Sequence, residues 1–179
     1  MNVVCFAGFS GAGKTTLVEA LIAVFRARGL RVSVVKHAHH NFDIDRPGKD
    51  SYRHRAAGAF EVVLASDRRL ALMREFEQLT ELSVHHLIAE LYDGVDWVFV
   101  EGYKHSNLPK VEVWRRDTGH TALYPEDPFV AAIATVLPAE LPQPTQRPVL
   151  DIDDAEALAD WLLANEQRFA YDARQHARE

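Results

Sequence analysis

The fold of this chain is decided by one stretch near its start, Gly8-Phe9-Ser10-Gly11-Ala12-Gly13-Lys14-Thr15-Thr16. The stretch matches the phosphate-loop pattern G-x-x-x-x-G-K-[ST] at every constrained position. In such a loop the backbone N–H groups surround a phosphate, the lysine reaches the β- and γ-phosphates, and the hydroxyl after it coordinates Mg²⁺. The sequence therefore predicts a nucleoside triphosphate site in which Lys14 and Thr15 take these two roles.

The flanks of this loop supply the strand and the helix that the pattern requires. Residues 2–7 form a short apolar run rich in β-formers, which is typical of a parallel strand buried on both faces. After the loop, apolar residues recur at helical spacing up to Phe25, and Gly29 marks the helix end. This context favours a nucleotide site over a glycine-rich turn without a ligand.

The rest of the chain alternates between strands and helices. Further strands are predicted at residues 30–36, 60–65, 70–73, 95–100, 111–114, 129–134 and 149–150. The runs 60–65 and 70–73 are expected to form a hairpin, and 111–114 alternates as a half-exposed strand does. A helix is expected from Leu79 to Leu91, and Asp153 or Asp154 would cap a final one. We predict an α/β, P-loop NTPase-like fold, a mostly parallel sheet with helices on both faces.

Length and composition set the broad class of the protein. We expect one nucleotide-binding domain over residues 1–165 and a polar tail over 166–179. The formal net charge of −6 argues against nucleic acid as a partner. Cys5 is the only cysteine and falls in the first strand, so we expect a buried, inert thiol and a reducing cytoplasm. Neither a secretion signal nor a membrane-spanning run is apparent, so no membrane partner is expected.

An acidic group is expected near the magnesium ion. Ligands of open α/β sheets bind at the carboxyl ends of the strands, and Glu101 stands at that end of the most hydrophobic strand. We therefore predict that Glu101 helps to bind the metal or orients a water. Gly102 permits a sharp turn over the site, and Lys104 is either a phosphate contact or an ordinary surface lysine.

A second loop, residues 36–51, combines basic, imidazole and carboxylate groups at an unusual density. One interpretation is a ligand-sensing switch, with Asp43, Asp45 or Asp50 near the metal. Another is a transition-metal site built from His37, His39, His40 and an aspartate. The third is a solvated loop in which Asp50 and Ser51 cap the next helix. The residues alone leave these three open.

Taken together, these motifs resemble the MobB family of molybdopterin-guanine dinucleotide biosynthesis adaptor proteins. The resemblance spans roughly residues 2–164. The blocks that carry it, besides the phosphate loop, are Val35-Lys36-His37 with His39-His40, Phe42-Asp43-x-Asp45, Pro47-Gly48-Lys49-Asp50-Ser51 and Val100-Glu101-Gly102-Tyr103-Lys104.

The resemblance implies a GTP-binding protein with at most slow, Mg²⁺-dependent hydrolysis that assists a molybdopterin guanylyltransferase. It also implies a homodimer formed through a strand-containing extension, which we place at residues 104–128. Lys14 and Glu101 are the catalytic candidates, and Thr15 and Glu101 the Mg²⁺ ligands. The candidates for contact with GTP, molybdopterin or molybdopterin-guanine dinucleotide are Gly8, Ser10, Gly11, Ala12, Gly13, Lys14, Thr15, Thr16, Lys36, His37, His39, His40, Asp45, Lys49 and Lys104.

Two other functions are compatible with a phosphate loop. A small-molecule kinase usually closes an arginine-rich lid on the phosphates, and Arg115-Arg116 is the only arginine pair after the Glu101 strand. A metal-insertion GTPase would use the histidines as ligands. Related P-loop proteins often read guanine with an aspartate after a late strand, whereas Ala132–Thr135 runs into Val136-Leu137-Pro138.

Overall fold

The computed structural model describes residues 1–38, 42–78 and 80–172. Within these residues the strands are β1 (Asn2–Ala7), β2 (Val32–Lys36), β3 (Glu61–Ala65), β4 (Leu70–Arg74), β5 (Trp97–Glu101), β6 (Lys110–Val113), β7 (Val130–Thr135) and β8 (Val149–Asp151). The helices are α1 (Lys14–Ala27), α2 (Asp50–Ala56), α3 (Val84–Ala89), α4 (Ala155–Ala164) and α5 (Glu166–Phe169). No helix of this described part is long and apolar enough to cross a membrane.

The chain divides into two compact units. The first unit combines Met1–His37 with the chain from Ser83 onward, and the second is Ala38–Leu82. The first unit holds a six-stranded parallel sheet in the order β2-β5-β1-β6-β7-β8. Strand β1 is thus central, and the phosphate loop leaves its carboxyl end. The predicted P-loop NTPase-like fold is confirmed.

Alternating side chains of β1 build the two faces of this sheet. Val4 and Phe6 face a core that contains Leu21 and Phe25 of α1 and Leu158 of α4. On the other face, β1 contributes Val3, Cys5 and Ala7 to a second cluster with Val84 and Ile88 of α3. Helices therefore cover both faces, as predicted, and hold the strand before the phosphate loop rigidly.

The expectation of a half-exposed strand at residues 111–114 is wrong. Strand β6 pairs with β1 on one side and β7 on the other, and all four of its residues are buried. Glu112 accepts the backbone N–H groups of Leu123 and Tyr124, and the Lys110 ammonium lies 3.1 Å from Asp127. These partners make the burial of both charges possible. The argument that placed a dimer contact at residues 104–128 loses its support.

The first residues of the predicted polar tail pack against the rest of the fold. Glu166–Phe169 forms the short helix α5, and the Phe169 ring is fully buried. Its centroid lies 5.7 Å from that of Trp97 and 5.9 Å from that of Trp161. Beyond it, the Tyr171 N–H donates to the Met1 carbonyl at 3.1 Å. The chain is therefore anchored to the sheet as far as Tyr171.

Helix α3 is shorter than the apolar spacing predicted. It begins at Val84 because the Ser83 hydroxyl accepts the His86 N–H and caps it, and it ends at Ala89. Leu82 precedes this cap, and Leu79 lies outside the described residues. The helical spacing of apolar residues begins before Ser83, but the helix itself begins only after this cap.

The second unit consists of helix α2 and the hairpin β3–β4. The predicted hairpin is confirmed, with Val63 opposite Leu72 and Ala65 opposite Leu70. On the same face, Arg74 and Glu61 form an ion pair at 2.7 Å. Val63, Leu70 and Leu72 nevertheless remain 55%, 69% and 42% exposed. The two-stranded sheet thus presents an apolar surface, which we call the hairpin face.

Candidate nucleotide site

Glycines give the phosphate loop its path from β1 to α1. A Cβ added to Gly8 would lie 2.3 Å from the Val113 carbonyl oxygen, so only glycine lets the loop pass β6 this closely. Gly13 has φ 100° and precedes α1 as its N-cap, with no side-chain cap and no acidic residue in the first turn. The first-turn N–H groups of α1 therefore remain available for an anion.

The Lys14 ammonium lies across the loop and donates to the Phe9 carbonyl at 2.8 Å. Its side chain is half-buried. Burial is the main factor that lowers the pKa of Lys14, while Glu101 opposes this shift and Lys36 and Lys104 add to it. A bound phosphate would compensate this charge, which the loop holds partly desolvated.

Thr15 and Glu101, the two predicted Mg²⁺ ligands, are in direct contact. The Thr15 hydroxyl donates to Glu101 Oε1 at 2.7 Å, and the Lys36 ammonium lies 3.2 Å from the same oxygen. Strands β1, β2 and β5 bring them together, because their parallel register aligns Phe6 and Lys36 with Glu101. A hydroxyl and a carboxylate at this separation fit Mg²⁺, which takes few protein oxygens and completes its shell with waters and phosphate oxygens.

A tight turn follows Glu101. Gly102 is required there, because a Cβ would lie 2.9 Å from the Cβ of His37. Tyr103 has φ 45°, a left-handed conformation that non-glycine residues rarely adopt and that is common at functional sites. The His37 ring lies against Tyr103, with centroids 4.8 Å apart. The turn fixes where the next residue, Lys104, is placed.

Lys104 contacts the phosphate loop through an aromatic ring. Its ammonium lies 3.9 Å from the centroid of the Phe9 ring, and the His120 ring stacks on Phe9 at 4.1 Å. The Phe9 ring therefore holds Lys104 beside the phosphate loop. Lys14, Lys36 and Lys104 give the site three ammonium groups beside the carboxylate of Glu101, which suits a polyanion.

The second unit contains the remaining predicted contacts, Asp45 and Lys49. Asp45 accepts the Ser51 hydroxyl at 2.9 Å and lies 3.5 Å from Arg55. Arg55 also binds Asp43, whose pKa is lowered mainly by the Asp45 N–H and then by Arg55. Lys49 is exposed and precedes α2. The described part of this loop is therefore largely exposed, and ion pairs of Arg55 with Asp43 and Asp45 organise it.

No group of three or more His, Cys, Asp or Glu side chains in residues 1–38, 42–78 and 80–172 could hold a metal ion. His39 and His40, which the transition-metal interpretation requires, lie outside these described residues. Magnesium does not need such a group, because two protein oxygens suffice when a nucleotide supplies others. Thr15 and Glu101 therefore remain the candidates for the metal.

Sequence reasoning missed one basic side chain at this site. Arg115 follows β6, and its guanidinium nitrogens would lie 3.5 and 3.6 Å from a Cβ added to Gly13. The sequence shows Arg115 directly after a predicted strand, but only the register of β6 against β1 places that strand end beside the loop.

Comparisons with known proteins agree with this geometry. The family model described as MobB, molybdopterin guanine dinucleotide synthesis protein B, matches residues 3–136. The chain is 38% identical over 162 residues to the molybdopterin-guanine dinucleotide biosynthesis adapter protein of Escherichia coli K12, covering 90% of this chain and 91% of that protein. Its identity to the Haemophilus influenzae adapter protein is 42% over 158 residues, covering 87% and 84%.

Solved structures show the same similarity. The crystal structure of a MobB homologue from Bacillus stearothermophilus superposes with a TM-score of 0.64 at 28% identity, covering 93% of this chain and 99% of that one. Bacillus subtilis MobB gives 0.68 at 24% identity, covering 96% and 100%, which bears on the fold alone.

Proposed function

The chain belongs to the MobB family, and from this premise we propose that it is a GTP-binding adapter in the biosynthesis of molybdopterin-guanine dinucleotide. We place this activity in the cytoplasm, where GTP is available. The observation that carries the nucleotide part is the pairing of Thr15 with Glu101 at 2.7 Å beside a complete phosphate loop. The partner is a guanylyltransferase that joins GMP to molybdopterin.

Each residue of the site has a defined part in holding the nucleotide. The N–H groups at the start of α1 donate to phosphate oxygens, and Lys14 exchanges the Phe9 carbonyl for them. Thr15 and Glu101 would hold Mg²⁺, which neutralises charge on the phosphates. Lys36, 3.2 Å from Glu101, holds that carboxylate in place.

The proposal is tested by turnover in the presence and absence of the partner. Hydrolysis needs a positioned water and usually an arginine at the transition state, and an arginine alone contributes roughly 10³–10⁵ in rate. We expect the isolated protein to hydrolyse GTP at about 10⁻² per second or less. Added to a molybdopterin guanylyltransferase, it should increase product formation, and it should bind GTP in preference to ATP.

Steady-state kinetics separates this proposal from its competitor. Turnover of about 1–100 per second, the range of kinases, with any small-molecule acceptor would replace the adapter proposal with a kinase. Equal affinities for GTP and ATP in competition binding would remove the guanine preference. If the protein does not stimulate the guanylyltransferase, the proposal that this enzyme is its partner is wrong.

Glu101→Gln tests the magnesium site. The substitution keeps the size of the side chain but removes the negative charge, so Mg²⁺-dependent nucleotide binding should weaken by about 10-fold or more. Binding measured without Mg²⁺ should change far less. Glu19→Gln, on the exposed part of α1, is the control. Superimposable magnesium titrations of Glu101→Gln and wild type would exclude Glu101 as a ligand.

We also propose a homodimer, and we place its contact on the hairpin face rather than at residues 104–128. A two-stranded sheet is marginally stable alone, and exposed apolar strand edges need cover. Val63, Leu70 and Leu72 lie on one side of β3–β4, and all three are exposed. A second copy of the chain would bury this surface.

Leu72→Asp is expected to halve the mass measured by light scattering. A carboxylate buried without a partner costs far more free energy than a single apolar contact contributes, so the dimer should dissociate at micromolar concentration. Leu137→Asp is the matched control, since Leu137 is a 54% exposed leucine of the first unit. A wild-type mass equal to one chain at all concentrations would contradict the dimer. If the Leu72→Asp variant still forms a dimer, the contact does not lie on the hairpin face.

A further inference from the structure

We infer that Arg115 is a phosphate-binding residue of the nucleotide site, a contact that the phosphate-loop pattern does not contain. The inference rests on the proposed function, because it requires that the loop binds a nucleotide. It concerns a residue of a different strand, β6, whose carboxyl end adjoins the loop.

The placement of Arg115 follows from two close contacts in the backbone. Gly8 passes the Val113 carbonyl so closely that no Cβ fits between them. The next residue, Trp114, donates its N–H to the Ala134 carbonyl at 3.0 Å and so keeps this segment on the sheet. Arg115 follows immediately, and its guanidinium reaches Gly13, the N-cap of α1. The side chain thus lies where the first-turn N–H groups begin.

The Arg115 guanidinium has an unmet hydrogen-bonding requirement. Its Nε–H is buried and has no hydrogen-bond partner among the described residues. Buried donors without an acceptor are rare, since they lose water and gain nothing in return. Its neighbour Arg116, by contrast, is largely exposed and lies 3.8 Å from Glu140. An anion bound at the loop would supply the acceptor that the buried Arg115 Nε–H lacks.

A phosphate oxygen is the acceptor that fits this position. The guanidinium is planar and always charged, and its fork of donors matches two oxygens of one phosphate. Arg115 would add a fourth cation to Lys14, Lys36 and Lys104, around the one carboxylate of Glu101. Because it lies beside Gly13, at the start of the helix, it should contact the part of the phosphate chain that GDP and GTP share.

The test compares Arg115→Gln with Arg116→Gln by calorimetric titration with GDP and with GTP. Arg115→Gln should weaken both nucleotides on the order of 10- to 150-fold, since a charge-assisted hydrogen bond is lost. Arg115→Lys should recover part of the affinity, because it keeps the charge but not the fork. Arg116→Gln should bind both nucleotides as the wild type does.

The thermal midpoint without nucleotide separates a binding role from a structural one. Arg115→Gln should melt at the wild-type temperature or slightly above it, since the substitution removes an unpartnered buried donor, and only its GTP-induced rise in midpoint should shrink. A lowered midpoint with unchanged affinities would overturn the inference and make Arg115 a packing residue. Unchanged affinities in a protein whose Lys14→Ala variant loses binding would overturn the inference alone. A wild type that binds no nucleotide would overturn the proposed function with it.

Discussion

Lys14→Ala should lose most of the affinity for GTP while the protein stays folded. The lysine is the one side chain of the loop that carries a charge to the phosphates, and a hydrogen bond to a charged group contributes about 1.5–3 kcal/mol. The dissociation constant should therefore rise by roughly 10- to 150-fold. Isothermal titration calorimetry with Mg²⁺ present measures this directly.

The ligand-free protein should lose little stability from the same change. There the Lys14 ammonium donates to the Phe9 carbonyl and is partly desolvated. A hydrogen bond of a charged group contributes about 1.5–3 kcal/mol, and the cost of desolvating the ammonium offsets part of that contribution to folding. Arg26→Ala, an exposed cation near the other end of α1, is the control for a general loss of positive charge. Wild-type affinity in Lys14→Ala would refute the phosphate-loop assignment.

Phe169→Ala is expected to destabilise the fold by about 3–5 kcal/mol, the usual cost of emptying a phenylalanine site in a core. The ring is fully buried and contacts Trp97 and Trp161, so its removal leaves a cavity between the sheet and α4. For a chain of this length, each kcal/mol lowers the melting temperature by about 2–4 °C. Differential scanning calorimetry should show a decrease of roughly 6–20 °C.

Phe42→Ala provides the comparison for this prediction, because the Phe42 ring is 75% exposed. Its effect on the free energy of unfolding should stay within about 0.5 kcal/mol. If both variants melt within a degree or two of wild type, residues 166–172 do not support the sheet. In that case residues from 166 onward would behave as the polar tail that the sequence predicts.

Local patterns predicted the nucleotide side of the fold because each element there follows its own sequence signal. The run 2–7 is apolar, the loop is glycine-rich and α1 is amphipathic, so strand, turn and helix are each specified by adjacent residues. Glu101 could be placed as well, since parallel strands align their carboxyl ends. The hairpin followed from two β-forming runs around Ser66-Asp67-Arg68.

The errors arose where long-range partners override the local pattern. Glu112 looks solvent-facing in sequence, but two N–H groups from Leu123 and Tyr124 satisfy it in the interior. Burial still raises its pKa, despite these two hydrogen bonds. Phe169 sits among polar residues, and its site in the core is made by Trp161 of the preceding helix together with Trp97, which lies far away in sequence. Only the tertiary structure brings Trp97 to this site.

Arg115 was missed for a related reason. Its importance depends on the distance to Gly13, which only the register of β6 against β1 sets. The second loop leaves its interpretations open in sequence, because the letters do not show that Arg55 forms ion pairs with Asp43 and Asp45. The composition of the loop shows which charged side chains are present, but it does not show which of them form ion pairs with one another.

The burial of Cys5 allows the opening of the central sheet to be measured through the reactivity of this one thiol. Its thiol is fully buried in the central strand, donates to the Gly102 carbonyl at 3.0 Å, and has its pKa raised to about 12 by burial. An alkylating reagent attacks the thiolate and must reach the sulfur, so it should label this chain only when β1 separates from its neighbours. Because nothing else in the chain carries a thiol, the rate at which mass is added measures how often the centre of the sheet opens. A nucleotide that stabilises the loop on β1 should lower the rate at which Cys5 is alkylated.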